Sequence, residues 1–369
     1  MELRKFVVPE FIFGQDARLL AGRYARNLGA RRVLLVSDPG VTAAGWTATV
    51  AESLAEAGLP LVEYTAVSPN PREDEVMQGA ELFHEQGCDA IVAVGGGSPM
   101  DCAKGIGIVS SSGRHILEFE GVDRIKDPMP PLICIPTTAG TAADVSQFAV
   151  ILNTHDKLKI VIAGKAAVPD VALIDPQPLT SMPAYLTACT GLDALVHAIE
   201  AYVSTANSPV TDLQALEAVR LISANLLKTI QHPEDLDLRS RMMLGSLAAG
   251  MAFSNASLGA VHAMAHSLGG LLDLPHGECN AILLDHVMAY NFKAAAERYR
   301  RVGEALGLEL EEIRRIKTAV GVTRRLNELG VKTGDLGMLA EKAMHDICIV
   351  TNPRKPTRGD LEAIYAEAL

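Results

Sequence analysis

Hydrophobic and polar positions follow two different patterns along the chain, and the change comes near its middle. In the first half, short apolar runs such as 32–36 and 90–94 alternate with amphipathic segments such as 72–86. The runs predict buried parallel strands, and the segments between them predict helices. Regular alternation of the two predicts an α/β fold with a doubly wound, Rossmann-like parallel sheet.

The second half of the chain lacks strand signals. Two β-rich runs within 145–162 still predict a hairpin, but after Pro183 the apolar residues recur at helical spacing up to the last residue. We therefore predict an α/β domain over 1–180 and an all-helical domain over 181–369. Because no long linker separates them, the two should meet across a cleft.

Composition narrows the class of protein and its partners. With 369 residues, 49% of them hydrophobic, the chain can bury a large core. The formal net charge of −11 and the lack of a basic run argue against nucleic acid as a partner, and no apolar run reaches membrane-spanning length. The six cysteines form no C-x-x-C pair, so we expect a cytoplasmic protein without disulfides.

Five candidate metal-binding side chains occur at helical spacings in the second half. Asp193 and His197 are four positions apart, and so are His262 and His266, so each pair projects from one face of a helix. His276 follows on a loop or at a helix start. A single pair of residues at this spacing is often accidental. One carboxylate together with several imidazoles, however, suits a divalent ion such as Fe(II), Zn(II), Co(II) or Ni(II).

A glycine-rich turn in the first half is a candidate phosphate-binding loop. Gly96, Gly97 and Ser98 follow an apolar strand and precede a helix that we expect to begin at Pro99, a favoured first residue. Backbone N–H groups at a helix N-terminus bind a diphosphate well. The pattern is not the usual dinucleotide fingerprint, so a simple tight turn is the alternative.

Further polar residues end other strands of the predicted sheet. Thr137, Thr138 and Thr141 form a second turn, and two such turns at the carboxyl ends of parallel strands mark the usual ligand crevice. Asp38 ends another buried strand. It could cap the next helix, or it could accept hydrogen bonds from a ribose.

Four stretches carry a resemblance to a known family: GGGSPMD, GLDALVHAIEAY, GAVHAMAHSLGG and LPHGECNAILL. Together they resemble the iron-containing (group III) alcohol dehydrogenases, which include lactaldehyde reductases and propanediol dehydrogenases. The resemblance implies a dehydroquinate synthase-like fold. It also implies Fe(II) as the metal, held by Asp193, His197, His262 and His276.

The same resemblance implies NAD as the cofactor, because an acid at Asp38 would repel the 2′-phosphate of NADP. It implies a substrate-facing position for Phe148, and the variable position Phe253 leaves the choice of substrate open. The resemblance implies cofactor roles for Asn70, Gly97, Ser98, Asp101, Thr137, Thr141, Ser146 and Lys159. For Lys159 the alternative is a solvated strand lysine.

The reaction that the resemblance implies is hydride transfer between NAD and a small primary alcohol or diol, by a homo-oligomer. His266 shares a helix face with His262, so we expect it near the metal, either relaying the alcohol proton or only packing. The alternatives are a metal-dependent hydrolase, or a related NAD-using lyase or polyol-phosphate dehydrogenase. Few Lys or Arg residues occur between 188 and 280, which favours an uncharged substrate.

Overall fold

A six-stranded parallel sheet forms the centre of the N-terminal part, in a computed structural model that describes residues 4–307 and 313–369. The strands of the protein are β1 (Glu10–Phe13), β2 (Val33–Val36), β3 (Leu61–Tyr64), β4 (Ala90–Gly95), β5 (Gly121–Val122), β6 (Leu132–Pro136), β7 (Phe148–Asn153), β8 (Leu158–Ala163) and β9 (Val171–Ile174). The main sheet has the order β1-β9-β6-β4-β2-β3. The predicted α/β sheet is confirmed, with β1 as an edge strand.

Helices cover both faces of this sheet. They are α1 (Ala21–Asn27), α2 (Pro39–Ala43), α3 (Trp46–Glu56), α4 (Glu73–Glu85) and α5 (Gly97–Ser112). Alternate residues of β2 pack into different hydrophobic clusters: Val33 and Leu35 join the cluster of α1 and α3, while Leu34 and Val36 join that of α4 and α5. This alternation explains why the strand is apolar at every position.

A small second sheet lies beside α5. Strands β7 and β8 pair antiparallel around a turn, which confirms the predicted hairpin, and β5 pairs with β8 in parallel. Residues of both hairpin strands belong to the same hydrophobic cluster as α5. The hairpin is thereby fixed next to the glycine turn.

The glycine-turn helix begins earlier than the sequence indicated. We expected Pro99 as its first residue, but α5 begins at Gly97 with Gly96 as the cap. A proline fits two positions further in, because the N–H groups of the first turn have no partner within the helix. The shift places the N–H of Gly97 and Ser98 in the first turn, where they can face a ligand.

The C-terminal part is helical from residue 184 onwards within the described residues. Its helices are α6 (Ala184–Val203), α7 (Pro209–Gln231), α8 (Leu236–Ala256), α9 (Ala260–Leu272), α10 (His276–Asn291), α11 (Ala296–Leu306), α12 (Ile313–Ala319), α13 (Leu336–His345) and α14 (Arg358–Ala368). Helices α6 and α9 are buried over almost their whole length. Polar side chains on them therefore need buried partners.

Within residues 4–307 and 313–369, no helix on its own combines the length and apolarity needed to cross a bilayer. Helices α8 and α9 reach this length and apolarity only when taken together, and they are bent by 98° relative to each other.

Candidate active site

Three helices bring the predicted metal-binding residues together. Asp193 and His197 lie on α6, His262 lies on α9, and His276 is the first residue of α10. Donor atoms of Asp193, His262 and His276 all lie within 4.8 Å of one another. Close approach of α10 to α6 depends on Gly277, where a Cβ would lie 2.7 Å from the carbonyl oxygen of Cys189 on α6.

The amide group of Asn280 marks the point on which these donor atoms converge. Its Nδ2 donates to Asp193 Oδ1 at 2.6 Å and lies 3.1 Å from both His262 Nε2 and His276 Nε2. His276 Nδ1 and Asn280 Oδ1 are buried and have no hydrogen-bond partner among the described residues. One carboxylate oxygen and two imidazole lone pairs aimed at one point form a donor set that fits a divalent transition metal.

His197 lies beside this group rather than within it. Its ring stacks on His262, with 4.4 Å between the ring centroids, and on Phe253, with 4.3 Å. Its Nδ1 is 3.9 Å from Asp193 Oδ2 and has no hydrogen-bond partner within 4–307 and 313–369. The structure therefore brings together three of the four expected ligands and places the fourth next to them.

Burial keeps the imidazoles of this cluster neutral. It lowers the pKa of His197 to about 3, against the opposing effect of Asp193. It also lowers the pKa values of His262 and His276 well below the ordinary value. Because a metal binds the neutral imidazole, these three side chains are ready to act as ligands near pH 7.

Glu200 contacts the Nδ1 side of the His262 imidazole. Its Oε2 lies 2.6 Å from His262 Nδ1, and its Oε1 accepts the backbone N–H of Val261 at 2.7 Å. Burial raises the pKa of Glu200 to about 7, while the backbone N–H groups around it favour the carboxylate. A carboxylate accepts the Nδ1–H of His262, which leaves the Nε2 lone pair free to face Asp193.

His266 has its own carboxylate partner. His266 Nδ1 lies 2.7 Å from Asp346 Oδ2, and Asp346 Oδ1 accepts the backbone N–H of Cys348 at 2.8 Å. The rings of His266 and His276 stack, with 5.2 Å between their centroids. His266 therefore lies beside the residues that were predicted to bind the metal.

The two polar turns of the N-terminal part contact each other where β4 and β6 end. A Cβ at Gly97 would lie 2.9 Å from Thr141 Cγ2, and one at Gly96 would lie 3.2 Å from Thr138 Cγ2. Thr137 donates its backbone N–H to the carbonyl of Gly95 at 2.9 Å. Only glycine allows the turns to approach this closely, and the N-terminus of α5 is left open towards the cleft.

Asp38 has the capping role that was considered for it. Its Oδ1 accepts the N–H of Val41 at 2.9 Å and thereby caps α2. Its Oδ2 would lie 3.3 Å from a Cβ at Gly95, at the end of the strand that leads into the glycine turn. One carboxylate oxygen caps the helix, and the other lies beside Gly95, which leads into the glycine turn.

A buried lysine supports Ser146 and Phe148 by hydrogen bonds. Lys104 on α5 is fully buried and donates to the carbonyl oxygens of Phe148 at 2.7 Å and Ser146 at 3.0 Å. Its Nζ also lies 3.3 Å from the hydroxyl oxygen of Ser146. Burial raises the pKa of the neighbouring Asp101 to about 6, and Asp101 accepts the N–H of Val150 at 3.2 Å.

Asn70 and Lys159 are two further predicted cofactor-binding residues. Asn70 donates its side-chain N–H to Asp273 Oδ1 at 2.7 Å, which joins the N-terminal part to the end of α9. Lys159 has only 7% of its surface exposed, so the interpretation as a solvated strand lysine is wrong. Burial lowers its pKa, against Cys279 and the acids Asp101, Asp273 and Asp193.

Many of these residues line a cleft between the two parts. Phe148 and Phe253 meet in it, with 5.8 Å between the ring centroids. Thirteen of the predicted site residues line the cleft, namely Asn70, Gly97, Ser98, Asp101, Thr141, Ser146, Phe148, Lys159, His197, Phe253, His262, His266 and His276. The other five, Asp38, Gly96, Thr137, Thr138 and Asp193, are not among the lining residues.

Comparison with known proteins gives matches along nearly the whole chain. The model of the iron-containing alcohol dehydrogenase family matches 9–176, and that of the Fe-containing alcohol dehydrogenase family, C-terminal, matches 187–369. The chain belongs to the iron-containing alcohol dehydrogenase family.

Individual relatives agree with this assignment. The chain is 41% identical to the 1,3-propanediol dehydrogenase of Citrobacter freundii, over 98% of both chains. It is 37% identical to the NAD-dependent methanol dehydrogenase of Bacillus methanolicus, over 99% of both. The solved structure of a 1,3-propanediol oxidoreductase superposes with a TM-score of 0.96 at 40% identity, covering 100% of each chain.

Membership of the family decides between the functions considered from the sequence. This iron-containing alcohol dehydrogenase is an oxidoreductase that acts on a CH–OH group of a small alcohol or on the corresponding aldehyde. A metal-dependent hydrolase and a lyase are not favoured, because the matching relatives of high coverage are alcohol dehydrogenases.

Sequence analysis missed four residues that support the site: Lys104, Glu200, Asn280 and Asp346. A signal was present for Glu200, which lies seven residues after Asp193 and therefore on the same face of α6. Asn280 follows His276 by one helical turn in the same way. Asp346 is 80 residues from His266, and no local spacing relates the two.

Proposed function

We propose that the protein oxidises small primary alcohols or diols with NAD, and reduces the matching aldehydes with NADH, in the cleft between its two parts. One observation carries the proposal. The donor atoms of Asp193, His262 and His276 converge, and the two imidazoles line the same cleft as Gly97 and Ser98 at the N-terminus of α5. A Lewis acid and a dinucleotide bound at these two places would meet at the substrate.

Asp193, His197, His262 and His276 are the proposed metal ligands. Fe(II) is the first choice because of the family, and Zn(II), Co(II) and Ni(II) suit the same donor set. When bound, the metal supplies a Lewis acid for the alcohol oxygen, and NAD supplies the hydride acceptor. The neutral, buried imidazoles support the proposed metal ligands. The similarity to the NAD-dependent methanol dehydrogenase supports NAD as the cofactor.

The chain's own residues supply binding and orientation. We assign the diphosphate to the N–H groups of Gly96, Gly97 and Ser98, at the positive end of α5, and the ribose to Asp38. Further cofactor contacts are assigned to Asn70, Asp101, Thr137, Thr138, Thr141, Ser146 and Lys159. Lys104 keeps Ser146 and the strand of Phe148 in place from below.

The reacting groups lie in an apolar part of the cleft. Phe148 and Phe253 would keep water away from the substrate, and His266 would take the alcohol proton towards solvent. Among the described lining residues, Lys159 is the single Lys or Arg. This supports a small uncharged substrate, because a phosphate or carboxylate would need more cationic partners.

Three broader predictions go with this function. We propose that 1–180 and 181–369 are separate domains, since the strands end at β9 and the helices of the C-terminal part begin at α6. A cytoplasmic location is supported by the six cysteines, which are all unpaired. A homo-oligomer is proposed from the family alone.

Turnover of an aldehyde panel with NADH, by protein of defined metal content, tests the function directly. We expect loss of NADH absorbance with short uncharged aldehydes, and formation of NADH when the matching alcohols and NAD are supplied. Release of a hydrolysis product without any change in NADH would contradict the proposal. Repeating the panel with NADP(H) and with Fe(II), Zn(II), Co(II) or Ni(II) identifies the preferred cofactor and metal.

Replacing Asp38 by glycine tests the choice of cofactor. The change removes a carboxylate that would bind ribose hydroxyls and repel a 2′-phosphate. Because hydrogen bonds to charged groups contribute about 1.5–3 kcal/mol, the ratio of kcat/KM for NAD over NADP should fall roughly 10- to 100-fold. Steady-state kinetics with both cofactors measure this ratio.

Asp235→Gly is the matched control for Asp38→Gly. Asp235 caps α8 by accepting the N–H groups of Asp237 and Leu238, and it does not line the cleft. Glycine is tolerated at both caps at a cost of a few tenths of a kcal/mol. If the cofactor ratio stays the same in Asp38→Gly, Asp38 acts only as a helix cap.

Replacing Glu200 by glutamine tests the support of a metal ligand. The single carbonyl oxygen of the introduced glutamine would accept the N–H of Val261, so its NH₂ group would face His262 Nδ1. The proton of His262 would then move to Nε2 and block metal binding. We expect metal affinity to fall roughly 10- to 100-fold, as measured by competition with a chelator.

Glu217→Gln on α7 is the control for Glu200→Gln, because Glu217 pairs with Arg220 on the surface. It should keep the wild-type metal affinity. Unchanged affinity in Glu200→Gln would mean that the orientation of His262 does not depend on Glu200.

A further inference from the structure

Asp346 and His266 form a buried pair at the edge of the cleft. The side chains retain only 5% and 6% exposure, and 2.7 Å separates Asp346 Oδ2 from His266 Nδ1. Asp346 immediately precedes the short 3₁₀ helix Ile347–Thr351, which it caps through Cys348 N–H. Both carboxylate oxygens are therefore engaged, each by a different partner.

The partners of Asp346 decide which tautomer His266 adopts. Burial by itself would raise the pKa of Asp346, but His266 and Cys348 bring it below the ordinary value. An ionised carboxylate can only accept hydrogen bonds, so Nδ1 of the imidazole must donate. The lone pair of the neutral ring is then on Nε2, at the opposite edge of a ring that lines the cleft.

We propose that Asp346 is a positioning residue for the reaction, which fixes His266 in the Nδ1–H tautomer with Nε2 available to accept the hydroxyl proton of the substrate. The inference rests on the proposed function, in which His266 takes that proton. Asp346 does not need to touch substrate, cofactor or metal. It acts through His266, as the buried aspartate of a catalytic triad acts through its histidine.

Asp346→Asn separates this role from simple helix capping. Asparagine caps a helix as well as aspartate does. Its one oxygen would accept the buried N–H of Cys348, and its NH₂ group would face His266 Nδ1. The imidazole must then accept at Nδ1 and carry its proton on Nε2, where it can no longer accept from the substrate.

Kinetics of Asp346→Asn, His266→Ala and the double variant test the proposal. We expect kcat to fall roughly tenfold or more in each single variant, with metal content and NADH binding retained. In the His266→Ala background, Asp346→Asn should cause no further loss, because the two residues act as one unit. Asp235→Asn, at the cap of α8, is the control for an aspartate-to-asparagine change at a helix start.

The possible failures are distinguishable. If His266→Ala is impaired and Asp346→Asn is fully active, Asp346 is only a cap and the inference alone is wrong. Losses that multiply in the double variant, or loss of metal from Asp346→Asn, also overturn it. Wild-type kcat in His266→Ala would remove the proposed role of His266, and the inference with it.

Discussion

Replacing either His262 or His276 by alanine is expected to remove most of the bound metal and nearly all turnover. Both Nε2 atoms point at the place marked by the Asn280 amide, and each belongs to a different helix. Because few ligands hold the ion, losing one imidazole removes a large share of the total metal-binding free energy. Elemental analysis and aldehyde reduction with NADH measure the two effects on the same samples.

His286→Ala is the matched control for His276→Ala. His286 lies further along α10 and is 3.6 Å from Glu367 Oε2, away from the converging donor atoms. This variant should keep its metal and its rate. Full metal content in both His262→Ala and His276→Ala would rule out the proposed ligands.

His197 provides a more demanding version of the same experiment. Its ring stacks between His262 and Phe253, and its Nδ1 lies 3.9 Å from Asp193 Oδ2. In the part of the chain that the structure describes, this Nδ1 has no hydrogen-bond partner. The ligand role of His197 therefore rests more on the family than on geometry. Metal content of His197→Ala, compared with that of His276→Ala, separates a ligand from a residue that packs beside one.

Local periodicity was sufficient to predict the elements that carry the site. The spacing of Asp193 and His197 placed both on one face of a helix, and this helix is α6. Apolar runs gave the strands of the parallel sheet, because a strand buried on both faces is apolar throughout. These predictions depend only on neighbours within one element.

Contacts between different helices and strands could not be predicted from local periodicity. Which helices pack together depends on the tertiary fold, so the meeting of His276 with Asp193 followed from the family resemblance and not from spacing. The partner of His266 comes from a segment 80 residues away. The burial of Lys159 depends on the packing of β8 against Gly269 of α9, since a Cβ at Gly269 would lie 2.9 Å from Lys159 Nζ.

The prediction for Pro99 failed for a local reason. Proline favours the first position of a helix but is tolerated throughout the first turn, where N–H groups have no helical partner. Glycine at Gly97 gave no signal for a helix start, because it is a poor helix former in general. The close contact with Thr141, which requires a glycine there, became visible only in the structure.

His266→Ala has the second-largest expected effect. His266 is bound to Asp346 and stacks on His276, but it does not belong to the group of donor atoms formed by Asp193, His262 and His276. The variant should therefore keep its metal and still bind NADH. Its turnover should fall roughly ten- to a thousand-fold, because it loses a general acid–base group.

Three measurements on one preparation decide the role of His266: metal content, NADH binding and kcat for alcohol oxidation. His345→Ala on α13 serves as the control, since His345 is exposed and contacts its own helix. Loss of metal from His266→Ala would make His266 a ligand and displace one of the four proposed here. An unchanged rate with full metal content would mean that His266 only packs against His276. The alcohol proton would then need another route out of the cleft, whose remaining imidazoles are neutral and buried.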